Sequence, residues 1–385
     1  MKILLVSSSS GSRGGGEKFL ISLAKSLTGI GHEVLLWTSE HSRMDELCAE
    51  FSPYGKVLRS AYHNTYDYLT RPLATLWNGS DVRRFASEWD ALDVDVVHVN
   101  KQNLEDGLDL LRATRLCRAP SVCTIHLTQG EVIFGAKFGW FRDWISAREL
   151  KRYAGLYVTV LESRSEELRR VVAKPNRVIT IDNGVAPFDF SRKASYRADV
   201  RKRFQWGEDH FVICCVARMV EQKRPQLFLD LALRYHQHNR QARFLWVGDG
   251  THTEEWDERV QEAGAGEWIR RLSWQQEVAP YLAAADLYLH TAAYEGCPFS
   301  LLEAMAAGLP CIVARDLLET MPSFTEGELT AVDSAQGLEV LDLSTDSLRQ
   351  MAGRGQEIVA ERFSLQAMAR RYEAVYRQLA LAPRL

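Results

Sequence analysis

Ile3-Leu4-Leu5-Val6, a helix-length amphipathic segment over 17–28, and Val34-Leu35-Leu36-Trp37-Thr38 open the chain, and their order decides how the rest is read. Short apolar runs without polar alternation mark strands covered on both faces. The segment between them is long enough to cross the sheet and bring the next strand in parallel. Gly29 and Gly31 punctuate the end of that helix. The rhythm continues with strands expected at 94–99, 122–125, 156–160 and 178–181. After the turn signal Asn183-Gly184 and a polar stretch over 189–209 it begins again, with strands expected at 211–216, 242–247, 269–273, 287–289 and 311–313.

A chain of 385 residues exceeds what one hydrophobic core usually supports, so two domains are expected. The boundary is placed near residue 187. Domain one is 1–187 with a final helix over 365–385 returning to it, and domain two is 188–364. The fold class is α/β, two doubly wound parallel sheets facing a central cleft, with a ligand expected at the carboxyl ends of the strands.

Hydrophobic residues make up 46% and charged residues 25%, the balance of a globular protein, and a net charge of -3 argues against a nucleic-acid partner. The 7 cysteines, at 48, 117, 123, 214, 215, 297 and 311, lack the paired short spacings of a zinc site and read as reduced thiols. The opening residues show neither the apolar region nor the cleavage pattern of a secretory leader, so none is expected, and no apolar run reaches the roughly 20 residues of a membrane span. A cytoplasmic enzyme is expected.

The segment richest in chemistry is Tyr294-Glu295-Gly296-Cys297-Pro298-Phe299-Ser300-Leu301-Leu302-Glu303-Ala304-Met305-Ala306-Ala307-Gly308-Leu309-Pro310. Two glutamates bracket a Gly/Pro loop, and a helix is expected to open at about Leu301 and stop near Gly308. Backbone N–H groups at a helix start can hold phosphate, and carboxylates accept paired hydrogen bonds from vicinal sugar hydroxyls. Ser300 and Glu303 also have the spacing of a capping box, which would make them structural. Glu295, outside any helix, has no such explanation. A second group follows the strand at 211–216: Arg218 at its end and Lys223 just before a helix that Pro225 can begin. Two cations and a helix start could meet one diphosphate there, or the cations could simply be solvated.

These motifs, with Val247-Gly248-Asp249-Gly250, Gly14-Gly15-Gly16-Glu17, Gly31-His32-Glu33-Val34, Asp95-Val96-Val97-His98 and Ile181-Asp182-Asn183-Gly184-Val185, resemble in order and spacing the retaining glycosyltransferases of family 4, which have the GT-B fold. The resemblance covers nearly the whole chain. It implies that Arg218 and Lys223 bind the donor diphosphate, Glu303 the ribose and Glu295 the transferred sugar. The backbone from Gly296 through Cys297, Pro298, Phe299 and Ser300 to Leu301 would add contacts, and Gly248 would border the donor. Gly15 and Gly16 would belong to a loop closing over the reacting groups, and His126, just past the strand at 122–125, would touch the sugar or act in catalysis. Ala217, Arg224, Ser273 and Ala186 depart from residues common in the family, which leaves local loop shapes open.

Three other signals carry less. Glu17 stands where a phosphate-binding P-loop needs lysine. Asp93-Val94-Asp95 resembles a metal-binding DxD, yet it opens an apolar strand and reads better as a turn. The segment 134–152 interleaves Phe138, Trp140, Phe141 and Trp144 with Lys137, Arg142, Arg148, Lys151 and Arg152, and is read as an amphipathic helix packed on its own sheet, with acceptor binding or a peripheral membrane contact as alternatives.

The expected activity is therefore metal-independent, retaining transfer of a sugar from a nucleotide sugar, UDP-linked by family usage, with no cofactor beyond that co-substrate. The expected acceptor is a cell-surface glycan or glycolipid, the expected place the cytoplasm or the inner membrane surface. A small-molecule acceptor, a nucleotide-sugar epimerase and an idle sugar-nucleotide-binding subunit are the alternatives.

Overall fold

Uninterrupted apolar strands need cover on both faces, and the computed structural model shows how they find it. It describes residues 1–9, 15–64, 79–133, 135–295, 298–321, 324, 328–332 and 343–381. The chain forms two units, Met1–Gly184 with Leu365–Leu385, and Val185–Ser364.

In the first unit β1 (Lys2–Ser7), β2 (Glu33–Ser39), β3 (Lys56–Ser60), β4 (Val96–Lys101), β5 (Ser121–Ile125), β6 (Leu156–Thr159) and β7 (Val178–Thr180) form one sheet in the order β3-β2-β1-β4-β5-β6-β7. Each pairing is parallel. The second unit repeats the plan with β8 (Phe211–Val216), β9 (Ala242–Val247), β10 (Ile269–Leu272), β11 (Leu287–His290), β12 (Cys311–Ala314) and β13 (Thr330–Val332), in the order β10-β9-β8-β11-β12-β13. Both orders are the doubly wound arrangement of nucleotide-binding sheets.

Helix Gly15–Gly29 shows why crossovers form where they do. Phe19, Leu20, Leu23, Ala24 and Leu27 lie on one stripe and are buried. The helix stops when His32 and Gly31 turn back to donate N–H bonds to Leu27 and Thr28 carbonyls at 3.1 and 3.0 Å, with Gly31 at φ +89°, a conformation glycine adopts without steric cost. Asp95, read as part of a turn, accepts the Lys2 N–H at 2.7 Å and joins the starts of β1 and β4.

The last helix, Leu365–Leu381, belongs to the first unit and completes its interior. His98 on β4 is wholly buried; its Nδ1 meets the Tyr376 hydroxyl at 2.6 Å and its Nε2 meets Thr124 Oγ1 at 2.8 Å. Thr124 in turn bonds the Tyr372 hydroxyl at 2.9 Å. Burial pushes the His98 imidazole down to about 3, so it is neutral and each nitrogen needs a partner. Tyr376→Phe is expected to cost about 1–2 kcal/mol, read as an earlier urea transition, because a buried ring nitrogen loses its only bond on that side.

Candidate active site

Strand order reverses between β8 and β11, so the chain leaves these neighbours toward opposite sides and their following loops part. The loop after β8 carries Ala217 and Arg218, closes in the turn Glu221–Lys223 and feeds helix Pro225–His238. The loop after β11 runs through Thr291 and Glu295 to helix Phe299–Ala306. The two loops are stitched together. Ala293 N–H donates to the Gln222 carbonyl at 2.9 Å, the Gln222 amide donates to the Tyr294 carbonyl at 2.9 Å, and the Thr291 hydroxyl donates to the Lys223 carbonyl at 2.9 Å.

That stitching brings Lys223 against Glu295, across 72 positions of sequence, as an ion pair. Glu295 also accepts from His290 Nε2 at 3.0 Å, and His290 Nδ1 lies 3.3 Å from the Tyr288 hydroxyl. A carboxylate only accepts, so the Nε2 proton is assigned to His290 and its Nδ1 is left as acceptor. Burial pushes the Glu295 carboxyl up, but the Lys223 ammonium and the His290 bond outweigh it and hold the group at about 2. Burial likewise moves His290 below its ordinary value against the pull of Glu295. The result is a buried, charge-balanced triad with Glu295 at its centre.

Lys223 thus has its charge met within the protein, whereas Arg218 is exposed and makes no ion pair among the described residues. Arg224 holds φ +48°, and its guanidinium pairs with Asp316 at 2.6 Å. Gly248, at the end of β9, holds φ +137°, and a Cβ there would stand 2.1 Å from the Ala217 carbonyl oxygen. This close approach of backbone to backbone sets the loop from which Arg218 projects.

The helix carrying Glu303 begins two residues earlier than expected, at Phe299 rather than Leu301, with Pro298 as its N-cap. Ser300 therefore stands inside the first turn and does not cap. The capping-box reading of Ser300 and Glu303 is corrected by this offset. Leu301 is buried and its N–H is donated to the Pro298 carbonyl at 3.1 Å, so the first-turn donors left without an intrahelical carbonyl at this start are those of Phe299 and Ser300. Gly296 and Cys297 lie outside the described residues, as does Gly14.

The remaining expected residues belong to the first unit. His126 follows β5 and is buried; its Nε2 meets Asn100 Oδ1 at 2.8 Å, while Asn100 Nδ2 donates to the Gly16 carbonyl at 3.1 Å. The amide orientation assigns the proton to Nε2 and leaves Nδ1 as acceptor. Burial pushes His126 down to about 4, so this tautomer is neutral at pH 7. Gly15 starts the first helix, and a Cβ at Gly16 would collide with the Gln102 side chain that lies across it. His290, Tyr288 and Asn100 are not legible as site residues because they lie within the buried strands β11 and β4, nor is Gln222, which sits in a loop whose partner is remote in sequence. No group of three or more His, Cys, Asp or Glu side chains among the described residues could hold a metal ion.

A model of Glycosyltransferase Family 4 matches residues 13–187, and one described as Glycosyl transferases group 1 matches 210–338. The chain belongs to this family of glycosyltransferases, and its two parallel-sheet units have the GT-B fold. It is similar to the UDP-Gal:alpha-D-GlcNAc-diphosphoundecaprenol alpha-1,3-galactosyltransferase of Escherichia coli, 25% identical over 57% of this chain and 58% of that protein. With the alpha-monoglucosyldiacylglycerol synthase of Acholeplasma laidlawii it shares 24% identity over 61% of this chain and 62% of that protein. The chain thus aligns with about three-fifths of the length of these curated relatives. The crystal structure of Anabaena HepE in complex with UDP and glucose superposes with a TM-score of 0.78 at 18% identity, covering 98% of this chain and 100% of that one, a likeness of fold.

Proposed function

We propose that the protein transfers a sugar from a nucleoside diphosphate sugar, UDP-linked, to a hydroxyl of a glycan or glycolipid acceptor, with retention at the anomeric carbon and without a metal ion. The observation that carries this reading is the loop after β8 at the strand-order reversal of the second unit, which holds Arg218 exposed and, five residues on, Lys223 in a cluster with Glu295 and His290. Departure of a nucleoside diphosphate needs positive charge fixed in advance where negative charge develops. Arg218 supplies an exposed guanidinium, and Lys223 can lend two further N–H donors while remaining anchored on Glu295. Glu295, held ionised, accepts hydroxyls of the transferred sugar rather than forming a covalent adduct. The acceptor attacks from the face the diphosphate leaves, and a departing phosphate oxygen takes its proton. Glu303 is assigned to the ribose. His126 is assigned contact with the sugar or a part in catalysis, its Nδ1 being the acceptor that the Asn100 bond leaves over. The relatives named for a diphosphoundecaprenol-linked sugar and for a glucosyldiacylglycerol support a glycan or glycolipid acceptor, and the working place is the cytoplasm.

The test begins with melting temperatures in a panel of nucleoside diphosphates and their sugars, since a ligand bound only by the folded state raises stability. UDP or a UDP-sugar is expected to give the largest shift; a flat panel would remove the donor assignment. NMR of the first-formed product should show the donor's anomeric configuration, and EDTA should leave the rate unchanged. Arg218→Ala is expected to lower kcat/KM about a hundredfold with little change in melting temperature, and Arg218→Lys to recover only part, because a point charge cannot reproduce the forked guanidinium. Full activity in Arg218→Ala would sink the diphosphate role.

A further inference from the structure

Five of the ten large hydrophobic residues exposed on the described chain fall within 132–144: Val132, Ile133, Phe138, Trp140 and Trp144. The aromatics stand on the solvent side of an amphipathic helix whose opposite face joins the core of its own sheet. Helix Gly139–Arg152 does bury one face, through Ile145, Ser146, Glu149 and Leu150. Its other face presents Trp140, Trp144, Arg148, Lys151 and Arg152 to solvent, aromatic in the first half and basic in the second. Trp140 and Trp144 are 70% and 57% exposed, and Phe138, at 76%, projects from a left-handed backbone at φ +56°. Burial alone does not explain a large aromatic held outward in that conformation.

The outward posture is built in. Arg142 clamps Glu131 at 2.7 Å and also pairs with Glu105, all three with little exposure. Asp143 accepts the N–H groups of Glu131 and Val132 at 2.7 and 3.2 Å, and a Cβ on Gly139 would press on the Val132 nitrogen at 2.9 Å. Phe141 stacks on Trp144 at 6.0 Å with Arg148 over the Trp144 ring. Asp143 is taken up by those backbone bonds and Glu149 is buried against Arg152 at 3.2 Å, so every exposed charged side chain described between 132 and 152 is basic: Lys137, Arg148, Lys151 and Arg152.

We infer that this face is a preformed platform that docks the protein on the anionic surface of a lipid bilayer. Tryptophan and phenylalanine suit the headgroup boundary, where a ring can be half immersed, and long basic side chains reach from it to lipid phosphates. A platform rigid before contact loses little conformational entropy on landing. The inference does not depend on what the second unit transfers.

The test is co-sedimentation of the full chain with vesicles of phosphatidylcholine alone and with roughly one third phosphatidylglycerol. Binding to the anionic vesicles is expected to be at least about tenfold tighter and to weaken as salt screens the lysine and arginine contacts. The double variants Trp140→Ser/Trp144→Ser and Arg148→Glu/Lys151→Glu should each lose about tenfold in vesicle binding, with the melting temperature and its response to UDP unchanged. Equal binding to the two vesicle types, no binding to either, or wild-type binding by both double variants would overturn the proposal. So would variants that keep vesicle binding but lose turnover of a soluble acceptor fragment, an outcome that makes the face a glycan-binding surface. A missing response to UDP in the unaltered protein would count against the donor assignment and leave the docking result standing.

Discussion

Lys223→Ala is expected to destabilise the second unit by about 3 kcal/mol at pH 7, the scale of leaving one member of a buried ion pair uncompensated. The loss should depend on pH in a particular sense. In the intact protein the Glu295 carboxyl is held at about 2 against an ordinary value of 4.5. Its ionised form therefore contributes stability that is fully present above about pH 4.5 and fades as pH falls toward 2. Without the Lys223 ammonium, burial of Glu295 becomes the dominant influence and raises the carboxyl above its ordinary value. The contribution of Glu295 then changes sign: the variant loses stability as pH rises through that raised value. Denaturant unfolding at pH 3, 5 and 7 should show the gap between the two proteins widening with pH, and a gap constant across that range would refute the pairing as the source. Lys223→Met/Glu295→Gln should recover much of the loss, because the partners disappear together. Arg218 can thus be removed cleanly, whereas Lys223 cannot.

Gly248→Ala is expected to cost on the order of 3 kcal/mol or more, with nucleotide binding lost alongside. The added carbon would sit 2.1 Å from the Ala217 carbonyl oxygen and 2.9 Å from its carbon, both backbone atoms in a loop anchored to β8, and φ at Gly248 is +137°. Relief requires moving Ala217, and Arg218 moves with it. Gly353→Ala makes the contrasting control. It lies inside helix Thr345–Arg362 with nothing within 4 Å of an added Cβ, so alanine there should stabilise by roughly 0.5–1 kcal/mol. Thermal melts of the two variants should move in opposite directions; a small change for Gly248→Ala would show that the Ala217 loop can yield.

Strands β8 and β9 are read from sequence with the bounds the structure has, because a strand covered on both faces is one apolar run with polar residues at each end. β3 and β13 escape that reading. Each is a sheet edge with a single neighbour, β3 is mostly half-exposed, and β13 spans only Thr330–Val332. The candidate site divides in the same way. Arg218 and Glu295 are legible because charged residues at strand ends or in Gly/Pro loops have little structural reason to be there. His290 closes the strand Leu287–His290 and reads as its polar terminus until the loops are joined. The Lys223–Glu295 pair depends on β8 and β11 being sheet neighbours, which no local pattern declares. Ser300 misleads because Pro298 starts the helix early and moves the serine past the cap position.

The first unit takes its final helix from the far end of the chain, and this bears on the order in which the protein can mature on the ribosome. Its seven strands are all made by Thr180, yet His98 Nδ1 and the Thr124 hydroxyl each take a buried partner, Tyr376 and Tyr372, from beyond Ser364. Everything needed by the second unit has been synthesised by Ser364. Domains usually fold in the order they are translated. Here the unit begun first is the one whose interior closes last, and a nascent chain halted before Leu365 would carry a finished second unit behind an unsealed first.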